Sequence, residues 1–98
     1  MKESFYESQL LEEKQKEYQE SVELIDRGQR KKAAKKLDNL LAENPDFLPA
    51  LNKKAVIFIY WKEFKEAKSL LNQILNQDPD YAPALTNLGS IAREMGDL

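Results

Sequence analysis

Asp78 and Asp80 flank Pro79, and Asp46 follows Pro45 in a similar phrase. Closely spaced carboxylates are the material of general acid–base catalysis or of an oxygen-liganded metal site. Asp-Pro-Asp alone supplies too few convergent ligands for a metal. In a linker, capping of the following helix is the simpler use of such residues, and Asp46 is read the same way before Pro49. The chain has no His, so it offers no imidazole base near neutrality and no imidazole ligand. It has no Cys, which excludes thiolate chemistry, disulfides and Cys-ligated metal. The glycines stand singly, so no loop can cradle a phosphate. The expectation is a non-enzyme with no catalytic residues, no metal and no cofactor.

A second group with chemical potential is cationic. Arg27, Arg30, Lys31, Lys32, Lys35 and Lys36 place six positive charges within ten residues. A surface for single-stranded nucleic acid would interleave aromatics for base stacking, and none is present. The lysines instead fall opposite Ala33, Ala34, Leu37 and Leu40 on a helical wheel, as a solvated face does. Formal net charge is −2, so no global positive field attracts nucleic acid or an anionic membrane. Neither is expected as a partner. Residues 1–13 carry one Lys and four Glu, a local net charge of −3. A contact between this acidic start and the basic run is open, within one chain or between two.

The elements that position these groups read as helices. Of the 98 residues, 42% are hydrophobic and 33% charged, and only three Gly and four Pro interrupt them. Leu, Ala, Glu, Lys and Gln dominate, and all favour helix. No signal peptide is visible in MKESFYESQLLEEK, which lacks an apolar core. The apolar run AVIFIYW at 55–61 is too short to span a bilayer. A reducing, cytoplasmic compartment is the expected location.

Residues 3–27 contain no Pro or Gly and carry Phe5, Leu10, Leu11, Tyr18, Val22 and Ile25. They predict one long helix, or two with a break near Glu12–Lys16. Gly28 ends this element with a left-handed cap. Further helices are expected from about Lys31 to Glu43, Pro49 to Tyr60, Glu63 to Gln77 and Pro83 to Met95. Pro45 and Pro79 stop two of them, and Pro49 and Pro83 sit in first turns, where a missing N–H costs nothing.

NPDFLPAL at 44–51 and DPDYAPAL at 78–85 lie 34 residues apart, and the same period runs through the chain. Gly28, Lys62 and Gly96 coincide, as do Ala33 and Ala67, Leu37 and Leu71, Leu40 and Ile74, and Pro45 and Pro79. Ser21, Ala55 and Gly89 also align, and all are small. A fixed period with repeated packing roles is the mark of a helical solenoid, in which each helix pair is buried by its neighbours.

Residues 48–81, LPALNKKAVIFIYWKEFKEAKSLLNQILNQDPDY, resemble the tetratricopeptide repeat from end to end. Leu51 stands where that family usually has Trp, Ala55 at its small first-helix position, and Phe64 where Tyr opens the second helix. Ala67, Leu71, Ile74 and Pro79 complete the unit. ALTNLG at 84–89 and MGDL at 95–98 match the first helix and turn of a further unit. The stretch 14–47 keeps Gly28, Ala33, Leu37, Leu40 and Pro45, but has Glu17 and Glu20 at usually apolar places, as a solvated cap would. Lys62 in place of the turn glycine suggests a less left-handed turn.

The resemblance implies an all-α fold, a right-handed α-α superhelix of antiparallel helix pairs in one domain over 1–98. Its parts would be an N-terminal extension or cap (1–13), a degenerate repeat (14–47), a full repeat (48–81) and a first helix only (82–98). It also implies a protein-interaction scaffold, with a protein or peptide partner held in a groove lined by first helices. Carried onto this chain, the groove positions are Tyr18, Val22, Ile25, Asn52, Val56, Ile59, Thr86, Ser90 and Arg93. Some family members clamp a C-terminal carboxylate with Lys and Asn; here Lys53, Asn52 and Asn87 are only fragments of that set. The lining suits an amphipathic helix or an extended peptide with apolar anchors. Tyr18, Val22, Val56 and Tyr60 could equally pack between neighbouring units, and the N-terminal helix could itself occupy the groove.

Leu85, Leu88, Ile91 and Ala92 form an apolar edge that the sequence does not cover. Each fully exposed Leu or Ile forgoes roughly 1.5–3 kcal/mol of burial. Three accounts stay open: a fragment of a longer adaptor array, a homodimer paired through this edge, or another protein that supplies the missing surface.

Overall fold

A computed structural model of the chain describes residues 2–96, with side chains from Gln9 onward. Phe5, Asp97 and Leu98 lie outside the described side chains. Five helices follow one another: α1 Lys2–Asp26, α2 Arg30–Glu43, α3 Leu48–Tyr60, α4 Phe64–Gln77 and α5 Ala82–Met95. No strand forms among the described residues, and AVIFIYW belongs to the end of α3 and the turn after it. The helix starts fall within a residue of those expected from Pro, Gly and periodicity. The polar stretch Glu12–Lys16 does not break α1, because its residues are good helix formers and need no apolar partner.

The chain divides into two compact units, Met1–Pro45 and Asp46–Leu98. In the first, α1 and α2 pack as a hairpin. Ala33, Leu37 and Leu40 of α2 are buried, and so is Ser21 of α1. The Ser21 hydroxyl donates to the Glu17 carbonyl at 3.0 Å, so this small polar residue is satisfied within its own helix. Lys36 Nζ meets Glu20 Oε2 at 2.7 Å across the pair. The contact keeps the Glu20 carboxyl below its ordinary range, first through the Lys36 hydrogen bond and then through the Lys36 and Lys16 charges. Glu20 is therefore tied to α2.

In the second unit α3 packs on α4, and α5 lies against both. Leu51, Ala55 and Ile57 of α3, Ala67, Leu71 and Ile74 of α4, and Ala84 and Ile91 of α5 are buried. The 34-residue equivalents Ala33 and Ala67, Leu37 and Leu71, Leu40 and Ile74, and Ala50 and Ala84 are each at most 1% exposed. At these positions equal spacing in sequence becomes equal burial in structure.

The turns repeat as closely as the cores. Gly28 has φ 79°, its N–H donates to Ile25 O at 2.9 Å, and the Gln29 N–H reaches Leu24 O at 2.8 Å. Lys62 has φ 63°, its N–H donates to Ile59 O at 3.0 Å, and the Glu63 N–H reaches Phe58 O at 2.8 Å. Both are Schellman caps that satisfy the last carbonyls of a helix. The Lys62 turn is as left-handed as the glycine turn, which corrects the expectation from its missing glycine. The cap's two hydrogen bonds dictate the conformation, and a non-glycine residue accepts it at a cost of about 1–2 kcal/mol. Gly96, at φ 72°, also ends α5 in the left-handed conformation, and its N–H donates to Arg93 O at 3.2 Å.

The linker acids do not cap. The N-cap residues are Phe47 and Tyr81, without a side-chain cap hydrogen bond, and Pro follows in each first turn. That Pro removes one of the donors that a capping carboxylate would serve. Asp78 Oδ1 instead accepts from the Asp80 N–H at 3.2 Å, and Asp46 Oδ1 accepts from Gln77 Nε2 at 3.2 Å. Burial, and next the Asp78 charge, push the Tyr81 phenol above its ordinary value.

Candidate functional site

Tyr18, Val22 and Ile25 follow one another at i, i+4 and i+7 on α1, and all three are half-buried. Asn52, Val56 and Ile59 repeat that spacing on α3, and Thr86, Ser90 and Arg93 repeat it on α5. Residues so spaced share one helix face. In the second unit, α3 and α5 bring two such faces together.

There Ile59, Ser90, Arg93 and Glu94 line an open depression of about 550 Å³. Its walls combine an aliphatic side chain, a hydroxyl and a pair of opposite charges. Arg93 Nη2 donates to Ser90 Oγ at 3.4 Å, and Ser90 Oγ donates to the Thr86 carbonyl at 3.3 Å. Glu94 Oε2 pairs with Lys62 Nζ at 2.8 Å, which lowers the Glu94 carboxyl from its ordinary value. Thr86 and Arg93 are exposed; Val56, Ile59 and Ser90 are half-buried.

Asn52 differs from its neighbours. It is 8% exposed, and its Oδ1 accepts a 2.9 Å hydrogen bond from Asn87 Nδ2. The resemblance placed Asn52 in the groove and gave both amides as fragments of a carboxylate clamp, whereas the structure spends one end of each on the other. Asn52 is thus a strut between α3 and α5 before it is a groove contact. A side-chain carbonyl drawn in from water on α3 needs a donor, and Asn87 supplies it.

The α5 edge also needs correction. Leu85 is 49% exposed, while Leu88 and Ala92 are half-buried. Ile91 is fully buried and does not belong to the edge. It is the 34-residue equivalent of Ile57, itself buried, and so points into the unit. The open face is Leu85, Gly89 and Ala92. A Cβ built on Gly89 meets nothing within 4 Å, although the equivalent Ala55 is fully buried.

Three features escaped the sequence reading. Glu94 in the depression is the first; it pairs with Lys62 across 32 residues, off the strict 34-residue match. Trp61 stands edge-on to Phe58 with centroids 6.2 Å apart, and Lys54 Nζ lies 5.8 Å from the Phe58 ring centre. Leu10 and Leu11 are the third, two adjacent leucines that remain exposed.

The tetratricopeptide repeat family model matches residues 24–90. This chain belongs to the tetratricopeptide repeat family. The matched span contains the turns at Gly28 and Lys62 and the equivalent cores of α2 and α4. No curated protein and no solved structure matches the chain. Tetratricopeptide repeats are in general protein–protein interaction modules and are typically non-catalytic. No group of three or more His, Cys, Asp or Glu could hold a metal ion among the described residues. Among those residues, no helix is long and apolar enough to cross a membrane.

Proposed function

We propose that this tetratricopeptide repeat protein binds a segment of a partner protein on the α3–α5 face of its second unit. The observation that carries this reading is the depression between Ile59 and the Ser90–Arg93 pair. It offers an aliphatic wall beside a hydroxyl and a guanidinium, which together can seat an apolar side chain and accept a neighbouring carbonyl or carboxylate. Tyr18, Val22 and Ile25 present the same spacing on α1 and are proposed to contact a partner in their own unit.

Selection of peptides from a displayed random library against the parent chain tests this. Peptides that bind are expected to lose about tenfold or more in affinity to Arg93→Glu and to Ile59→Asp, a loss of roughly 1.4 kcal/mol. Arg93→Glu should leave the thermal midpoint unchanged, since Arg93 is exposed. Peptides that bind both variants as tightly as the parent would overturn the reading.

The open Leu85–Gly89–Ala92 face favours a second reading, a homodimer in which α5 receives a helix of another copy. Light scattering over a wide concentration range should then give a dimer mass that Leu85→Glu abolishes. A monomer at every concentration would remove this alternative.

A further inference from the structure

At about 1.5 Å per residue, α1 is roughly 37 Å long and α2 roughly 21 Å. The two are joined by only the three residues 27–29, so the N-terminal part of α1 runs about 16 Å beyond the end of its hairpin partner. Leu10 and Leu11 sit at this overhang, 63% and 54% exposed. Together with Lys14 and Asn44 they line a depression of about 340 Å³. A second depression of about 260 Å³ adjoins it, with Leu10 and buried Leu40 among its walls and Glu13, Glu17 and Glu43 at its rim.

The rim is acidic. Glu13, Glu17 and Glu43 are exposed, and their carboxylates carry no ion pair among the described residues. Lys14 lies among them but is not free. Residues 1–13 add a net charge of −3 in sequence. The overhang precedes residue 24, where the family match begins, so neither the repeat period nor repeat packing accounts for its leucines.

From this arrangement we infer that the overhang of α1 and the adjoining end of α2 form a docking surface for a basic amphipathic helix of a different protein. Apolar side chains of that helix enter between Leu10, Leu11 and Leu40, and flanking Lys or Arg residues meet the three rim carboxylates. Charge decides the occupant. A second copy packing its own overhang here would set −3 against −3. The basic face of α2 from a second copy would bring Lys31, Lys32 and Lys35, yet no large exposed apolar side chain accompanies them. A basic partner with apolar anchors satisfies both the leucines and the carboxylates. The energetic division is then familiar: apolar burial supplies affinity, while the charges select sign and speed encounter.

The test uses the full chain and a fluorescent helix-forming peptide of leucine and lysine, with a leucine–glutamate peptide of the same pattern as control. Methyl NMR on the parent should show shifts at Leu10 and Leu11 with the lysine peptide and none with the glutamate peptide. Leu10→Ser with Leu11→Ser should weaken binding about tenfold or more. Glu13→Gln, Glu17→Gln and Glu43→Gln together should weaken it several-fold at low salt, with the difference shrinking at high salt. Shifts confined to the methyls of α3 and α5, or equal binding of the two peptides, would overturn the inference. A parent mass that doubles with concentration, and stays single in the leucine variant, would also overturn it by making a second copy the occupant.

Discussion

Lys62, held at φ 63° in the α3–α4 turn, reaches Glu94 on α5 with Nζ 2.8 Å from Oε2. One residue thus closes one helix and tethers the first helix of the next repeat. The two roles pull in opposite directions: the left-handed backbone favours glycine, and the ion pair requires a long cation. Lys62→Gly should show which dominates. Relief of the backbone is worth about 1 kcal/mol. The ion pair is exposed at both ends, where such pairs add little. The variant is therefore expected to have a higher urea midpoint than the parent. Lys62→Ala keeps the strain and loses the pair, and should fall below the parent.

Acid should act on the same contacts. Glu20 and Glu94 both have carboxyls lowered from their ordinary value by hydrogen bonds to Lys36 and Lys62. A folded-state pKa below the unfolded one means that the unfolded chain binds the proton more readily. The stabilisation is therefore complete above the ordinary carboxylate value and is lost as pH falls through the lowered folded value. Denaturation midpoints should drop across that acidic window. In Glu20→Gln with Glu94→Gln, the drop should be slightly smaller than in the parent, since both pairs are open to solvent. An unchanged acid limb in the double variant would show that these pairs do not contribute.

The amide bridge between Asn52 and Asn87 makes a sharper demand. Removal of Asn87 leaves the Asn52 carbonyl, drawn largely out of water, without its donor. Asn87→Ala should cost about 1–2 kcal/mol, and Asn52→Ala a similar amount. The double variant should cost less than the sum, since the second substitution removes the group that the first left unpaired. Chemical denaturation of the four proteins checks this. Strict additivity would mean that the two amides do not depend on one another.

How far the sequence reaches is clear from these residues. The 34-residue period locates the helices and the cores because burial obeys spacing: Leu37 and Leu71 are equally inaccessible. It also contained the correct place of Ile91, as the equivalent of buried Ile57. An apolar stripe on a single helix does not divide itself into core and edge, so Leu85, Leu88, Ile91 and Ala92 read as one surface. The Lys62 turn was hidden because glycine is the usual sign of a left-handed cap, and hydrogen bonds can impose that conformation without it. The Asn52–Asn87 bond joins residues 35 apart, and only the packing of α5 on α3 brings them together. Polar pairing depends on ångström distances that no periodicity encodes.

Gly89 separates helix stability from helix docking. It lies inside α5, where glycine is less favourable than alanine by about 0.5–1 kcal/mol, and an added Cβ meets nothing within 4 Å. Gly89→Ala should therefore raise the unfolding free energy by about that amount, read as a higher denaturation midpoint. Ala55, its equivalent on α3, is fully buried, so a larger residue there should destabilise strongly. Gly89→Leu should be tolerated by the isolated chain, because the space beside α5 is open. If a helix from a second copy occupies that space, Gly89→Leu should abolish the dimer while preserving the fold. A dimer that survives both Gly89→Leu and Leu85→Glu would be held by some other surface.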